Sequence, residues 1–99
     1  MNNVIINRIE LDDAGHLRIY PGMEKKGYEY IWRSASSVRW DAVDHSLFVL
    51  PIDGFTLFDE FLQIVSAVES EYDDRLLIDS GTHLYVDGEL AKSLMQFYS

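Results

Sequence analysis

Between Thr56 and Tyr72 apolar residues recur at helical spacing over about four turns, and this run constrains the fold more than any other part of the chain. At about 100° per residue, Leu57, Phe58, Phe61, Leu62, Ile64, Val65, Val68 and Tyr72 fall within an arc of roughly 160°, with Asp59, Gln63, Ser66 and Ser70 opposite. A stripe that wide must be covered, so the rest of the chain has to supply a sheet. An arc of this width also reaches a second surface, and Leu57, Phe61, Ile64 and Val68 are the residues expected at a contact between two copies. Thr56 followed by Asp59 and Glu60 suits a helix start, through capping and the helix dipole.

The flanking sequence reads as that sheet. Residues 4 to 11 are rich in Val, Ile and Leu, Asp12-Asp13-Ala14-Gly15 supplies turn chemistry, and His16 to Tyr20 returns as a second strand that stops at Pro21-Gly22. The tip from Gly22 to Gly27, with Lys25 and Lys26, is expected to be exposed. From Tyr28 to Ala42 the even positions carry Tyr28, Tyr30, Trp32, Val38 and Trp40, which would share one face of an extended segment with a break at the small residues between. Ser46 to Ile52 is nearly all apolar, as in a central strand covered on both faces. After the helix, Arg75 to Ile78 and His83 to Val86 read as a hairpin around Asp79-Ser80-Gly81, and Asp87 can cap a short helix carrying Leu90, Leu94, Phe97 and Tyr98. The predicted class is therefore α+β: a mainly antiparallel sheet of five to seven strands, one long amphipathic helix and a short C-terminal helix, in one domain spanning residues 1–99.

Composition narrows the function classes. Seventeen acidic against eight basic side chains give a formal charge of −9, which repels phosphate backbones and anionic lipid, so neither nucleic acid nor membrane is an expected partner. A basic protein or a cationic small molecule stays open, beside the plainer reading that excess surface carboxylate serves solubility. The absence of cysteine excludes a thiol nucleophile, a disulfide framework and thiolate zinc sites. With neither a signal-like N-terminus nor a long apolar run, the expected compartment is the cytoplasm.

No motif carries a reaction. Leu77-Ile78-Asp79-Ser80-Gly81-Thr82 resembles the active-site loop of aspartic proteases, in which two such loops share a proton between their aspartates. In that family the loop comes early and a later apolar-apolar-Gly segment completes the fold, whereas here 20 residues follow Asp79. A tight turn is the simpler reading, and a hydrolase using Asp79 is kept only as a remote alternative. His16, His45 and His83 match no ligand pattern and read as turn or surface residues, and Asp12-Asp13 and Asp73-Asp74 as solvated turn carboxylates. Nucleotide and phosphate loops are missing, and neither a cofactor nor a metal is expected.

The concentration of Tyr28, Tyr30, Trp32 and Trp40 beside Arg33 and Arg39 is the most informative cluster. Aromatics beside arginine suit single-stranded bases, which the net charge opposes. They also suit a pocket for a small organic ligand, with Arg33 as its polar anchor, or plain core packing, and the sequence leaves both open.

Tyr28-Glu-Tyr30-Ile31-Trp32-Arg33-Ser-Ala35, then Val38-Arg-Trp40-Asp41, then Phe58-x-x-Phe61-x-Gln63-Ile64 in a helix ending near Glu71-Tyr72, resembles a family of small proteins encoded on mobile integron gene cassettes. The likeness runs over residues 4 to 78. It implies a bacterial source, an unassigned biochemical role, a tendency to form homo-oligomers and, in some members, small-molecule pockets; it brings no catalytic residue. The reading drawn from residues and resemblance together is a non-enzymatic binding or interaction module, expected to be a homodimer. The alternative is an immunity or antitoxin protein whose acidic surface covers a basic toxin.

Overall fold

Thr56 opens the long helix with a reciprocal cap. Its hydroxyl accepts from the Asp59 backbone N–H at 3.0 Å, while the Asp59 carboxylate accepts from the Thr56 N–H at 2.9 Å. Helix α1 (Leu57–Tyr72) follows and stops at Asp73, which adopts a left-handed conformation with φ 55°. In the computed structural model, which describes residues 1–22 and 27–99, α1 lies across a mixed sheet of six strands. These are β1 (Asn2–Leu11), β2 (Leu17–Pro21), β3 (Val38–Asp41), β4 (Ser46–Val49), β5 (Asp74–Leu77) and β6 (His83–Tyr85). A second helix, α2 (Gly88–Phe97), is capped by Asp87, whose carboxylate accepts from the Leu90 N–H at 2.8 Å. The α+β class holds. The expected tip carrying Lys25 and Lys26 lies outside the described residues.

The strand order is β3-β4-β2-β1-β5, with β6 also on β1. Pairings β1–β2, β2–β4 and β3–β4 are antiparallel; β5 and β6 both run parallel to β1. Arg75 to Ile78 and His83 to Val86 therefore do not form the expected hairpin. Asn2 to Ile5 pair with Asp74 to Leu77, Arg8 to Glu10 pair with His83 to Tyr85, and the two short strands continue one line along β1. The Asp79–Thr82 turn makes this step instead of reversing the chain. Asp79 Oδ1 accepts from the Gly81 N–H at 2.8 Å, and the Thr82 hydroxyl donates to the Ile6 carbonyl at 2.7 Å, so the turn is tied sideways to β1 where the latter's own register shifts.

Alternation along the strands sorts side chains onto two faces. Ile9, Ile19, Leu47 and Val49 point toward α1 and form the core with Phe61, Ile64, Val68, Leu76 and Leu94. The opposite face carries Arg8, Glu10, Arg18, Tyr20, Asp41, Ser46 and Phe48. The helix stripe is thus used within the chain: Phe61, Ile64 and Val68 have no exposed surface and Leu57 is half-buried. Of the four residues expected at a contact between copies, Leu57 is the one that keeps exposed surface. No helix among the described residues is long and apolar enough to cross a membrane.

Candidate functional site

The aromatic-rich segment after Gly27 departs most from its sequence pattern. Residues 28 to 37 are a loop containing one 3-10 turn, Ile31–Arg33, not an extended segment. Tyr28 and Ile31, three apart, are both fully buried, and Tyr30 and Trp32 are half exposed, at 53% and 50%. The spacing of three rather than two, followed by Ser34-Ala35-Ser36-Ser37, is the signal in the sequence that points to this turn.

The five residues of the aromatic cluster consequently divide into a foundation and a platform. Tyr28 is the foundation. Its hydroxyl donates to Asp74 Oδ2 at 3.0 Å, and its ring meets Tyr72 and Trp40 edge-on at 4.8 and 5.6 Å. Burial, reinforced by the neighbouring Asp74 carboxylate, pushes the Tyr28 phenol far above its usual range, so it serves as a donor and not as an acid. Asp74 is itself 2% exposed, which corrects the reading of Asp73-Asp74 as solvated turn carboxylates. Trp40 is half-buried between Tyr28 and His45, with His45 edge-on at 5.2 Å.

Above this base, Tyr30, Trp32 and Arg33 form the platform. The Tyr30 N–H donates to the Tyr72 hydroxyl at 2.9 Å, Ser34 Oγ lies 3.1 Å from Glu71 Oε1, and the Arg33 guanidinium stands 4.0 Å from Glu71 Oε2. These links fasten the turn to the last turn of α1. Arg33 also lies 4.5 Å above the Tyr30 ring and 5.7 Å from that of Trp32, so the cation and the two rings make one surface.

Tyr28, Tyr30, Trp32, Arg33 and Trp40 line none of three prominent cavities among the described residues. One of about 670 Å³ runs along Asn2 to Asn7, bordered by Gly22, Asp74, Asp79 and Gly81. Two smaller depressions of about 420 and 550 Å³ lie against α1, the first between it and α2.

A second polar assembly sits on the sheet face away from α1. Arg18 reaches Asp12 at 3.0 Å, Asp41 at 3.1 Å and Ser46 Oγ at 3.1 Å while lying over Phe48 at 4.2 Å. Arg8 pairs with Glu10 at 2.8 Å and covers the Tyr20 ring at 3.9 Å, and the Tyr20 hydroxyl donates to Asp44 at 2.7 Å. Charged residues two apart in Arg8/Glu10 and Arg39/Asp41 were the available signal for this face.

The histidines occupy three separate settings. His16 Nδ1 is 3.8 Å from Asp12 in the first hairpin, His45 holds a left-handed turn position at φ 56°, and His83 stacks on Tyr85 at 6.0 Å. Among the described residues no group of three or more His, Asp or Glu side chains could hold a metal ion. Asp79 is engaged by its own turn.

Comparison with known proteins gives one family. The model of the integron cassette protein Hfx_Cass5 matches residues 2–82. The chain is also similar to a solved structure of the integron cassette protein Hfx_Cass5 from the mobile metagenome of the North West Arm sewage outfall, at 27% identity and a TM-score of 0.48, over 97% of this chain and 95% of that one. No curated protein matches.

Proposed function

The chain belongs to the Hfx_Cass5 family of integron cassette proteins, and from that premise we propose that it is a non-enzymatic interaction module that pairs with a second copy of itself through the Tyr30–Trp32–Arg33 platform. The observation that carries this reading is the combination of half-exposed Tyr and Trp rings with an arginine on a turn fixed from beneath. Tyr, Trp and Arg are the residues that dominate the energetics of protein contacts, and a surface already rigid loses little entropy on binding.

Arg33 and Glu71 make the surface self-complementary. A two-fold axis brings the cation of one copy to the carboxylate of the other and reciprocally, which offsets the repulsion between two acidic chains. A small-molecule pocket among the five aromatic-cluster residues is less favoured, because Tyr28 is sealed in the core and the others line none of the three cavities described above.

Light scattering over a dilution series tests the reading. A dimer is expected that Trp32→Ala weakens by about tenfold or more, that Arg33→Glu weakens, and that Arg33→Glu with Glu71→Arg regains. A monomer at every concentration, or a dimer indifferent to all three changes, overturns it.

A further inference from the structure

The seam between α1 and α2 has the opposite electrostatic character from the platform. Its first depression is floored by Leu57, Phe58 and Leu90, and its second, further along α1, by Leu62, Val65 and Phe97. A ring contact, Phe58 to Phe97 at 6.2 Å, stands between the two. Phe97 remains 45% exposed although it also touches Phe61 at 5.9 Å and Tyr98 at 4.9 Å. The two depressions and the ring pair between them make an interrupted trough of mixed apolar and polar lining beside the ten-residue α2, which is on the order of 15 Å long.

The rim of the trough is acidic. Asp87 and Glu89 stand at the first depression and Glu69 at the second, and no lysine or arginine is among the residues that line either one. Arg75 reaches Glu69 from outside at 3.9 Å and Asp87 caps α2, which leaves Glu89 as the rim carboxylate without an ion pair among the described residues. A second copy would bring the same carboxylates to the same rim, so this surface disfavours self-association where the platform favours it. Helices and not a strand edge form its walls, so an occupant must satisfy its own backbone hydrogen bonds, as a helix does.

We infer that the α1–α2 trough docks an amphipathic helix of a partner protein, with the apolar face of that helix on Phe58, Leu62 and Phe97 and its lysines or arginines toward Asp87, Glu89 and Glu69. The inference is independent of the dimer reading, because it uses none of the platform residues.

The probe is a fluorescein-labelled 15-residue helix of leucine and lysine in amphipathic order, titrated with the full chain at about 0.15 M salt and read by anisotropy. Two controls share the design: the same residues scrambled so that leucine surrounds the helix, and the leucine–glutamate counterpart. Saturable binding is expected for the amphipathic lysine peptide alone. Ser66→Arg, which places a cation in the second depression, and Glu89→Lys are each exposed positions, and each should weaken binding by about tenfold. Trp32→Ala should leave it unchanged, so loss of the dimer and loss of helix binding can be told apart. Circular dichroism checks that both variants fold, and either one alone suffices. Equal binding of the scrambled peptide, indifference to both variants, or absence of binding overturns the inference. So does self-association that Ser66→Arg abolishes, since a second copy would then hold the trough.

Discussion

On the helix side of the sheet, Ile9, Ile19 and Leu47 lose all their surface beneath α1, and Phe61 and Ile64 lose theirs in covering them. On the other side Ser46 is fully buried and Tyr20 is 8% exposed, yet no helix among the described residues packs over them. Their cover is made by side chains of the sheet itself: Arg18 held by Asp12, Asp41 and Ser46, and Arg8 laid across Tyr20. One face is buried by a second layer and the other by ion pairs lying flat, and the two must respond to different perturbations. Apolar burial is lost with volume and largely ignores pH, whereas the network depends on the charge of a few carboxylates.

Carboxylates show the contrast directly. Asp12 and Asp41 on the open face are held below the usual carboxylate range. For Asp12 partial burial pushes upward, and hydrogen bonds from the His16 N–H and Arg18 outweigh it; for Asp41 the Asp44 N–H leads and Arg18 adds to it. Glu60, half-buried on α1, is raised instead, since burial outweighs the attraction of His16.

The harshest way to break the comparison is Phe61→Ala, which should cost about 3–5 kcal/mol in urea unfolding, a large part of a small domain's total. Arg18→Met keeps much of the stem over Phe48 but leaves Asp12, Asp41 and Ser46 without their donor, and about 1–3 kcal/mol is expected at neutral pH. Because the folded-state pKa values of Asp12 and Asp41 lie below their unfolded values, their contribution is present above about pH 4 and is lost as pH falls further. The acid limb of the wild-type stability curve should therefore be steeper than that of Arg18→Met. Equal limbs would mean that the open face does not depend on charge.

Glu60→Gln should move the other way. With its folded pKa raised, Glu60 opposes folding at neutral pH, and that opposition vanishes below its unfolded value of about 4.3. The variant should melt slightly higher at pH 7 and no higher at pH 3.5. Trp32→Ala, on neither face, should change stability by no more than about 0.5 kcal/mol, since half its ring is already in water.

Legibility in the sequence followed the range of the interactions involved. The capped helix, the first hairpin and the Asp87 cap are set by contacts within a few residues, and each lies where its pattern puts it, whereas the run expected as a central strand from Ser46 to Ile52 ends at Val49 and lies second from the edge of the sheet. The parallel pairing of β5 and β6 with β1 joins residues more than seventy positions apart. Nothing in Arg75 to Val86 distinguishes a reversal from a sidestep until the Thr82 hydroxyl finds the Ile6 carbonyl. The platform was half legible: Tyr30, Trp32 and Arg33 are at the surface, but their even spacing imitated a strand, and only the burial of Ile31 between them reveals a turn. The α1–α2 trough was invisible because Phe97 reaches Phe58 and Phe61 only once α2 has docked.

The break between β5 and β6 bears on what the outer edge of the sheet offers to other chains. An unbroken outer strand along β1 would offer a row of free amides and carbonyls to any passing polypeptide, the template from which sheet-to-sheet aggregation grows. Here the row is cut in two by the Asp79–Thr82 turn, and the Leu76 carbonyl is taken by the Tyr98 hydroxyl at 2.7 Å. The segment that looks like an enzyme loop when read as sequence is, in the fold, the interruption in that outer edge.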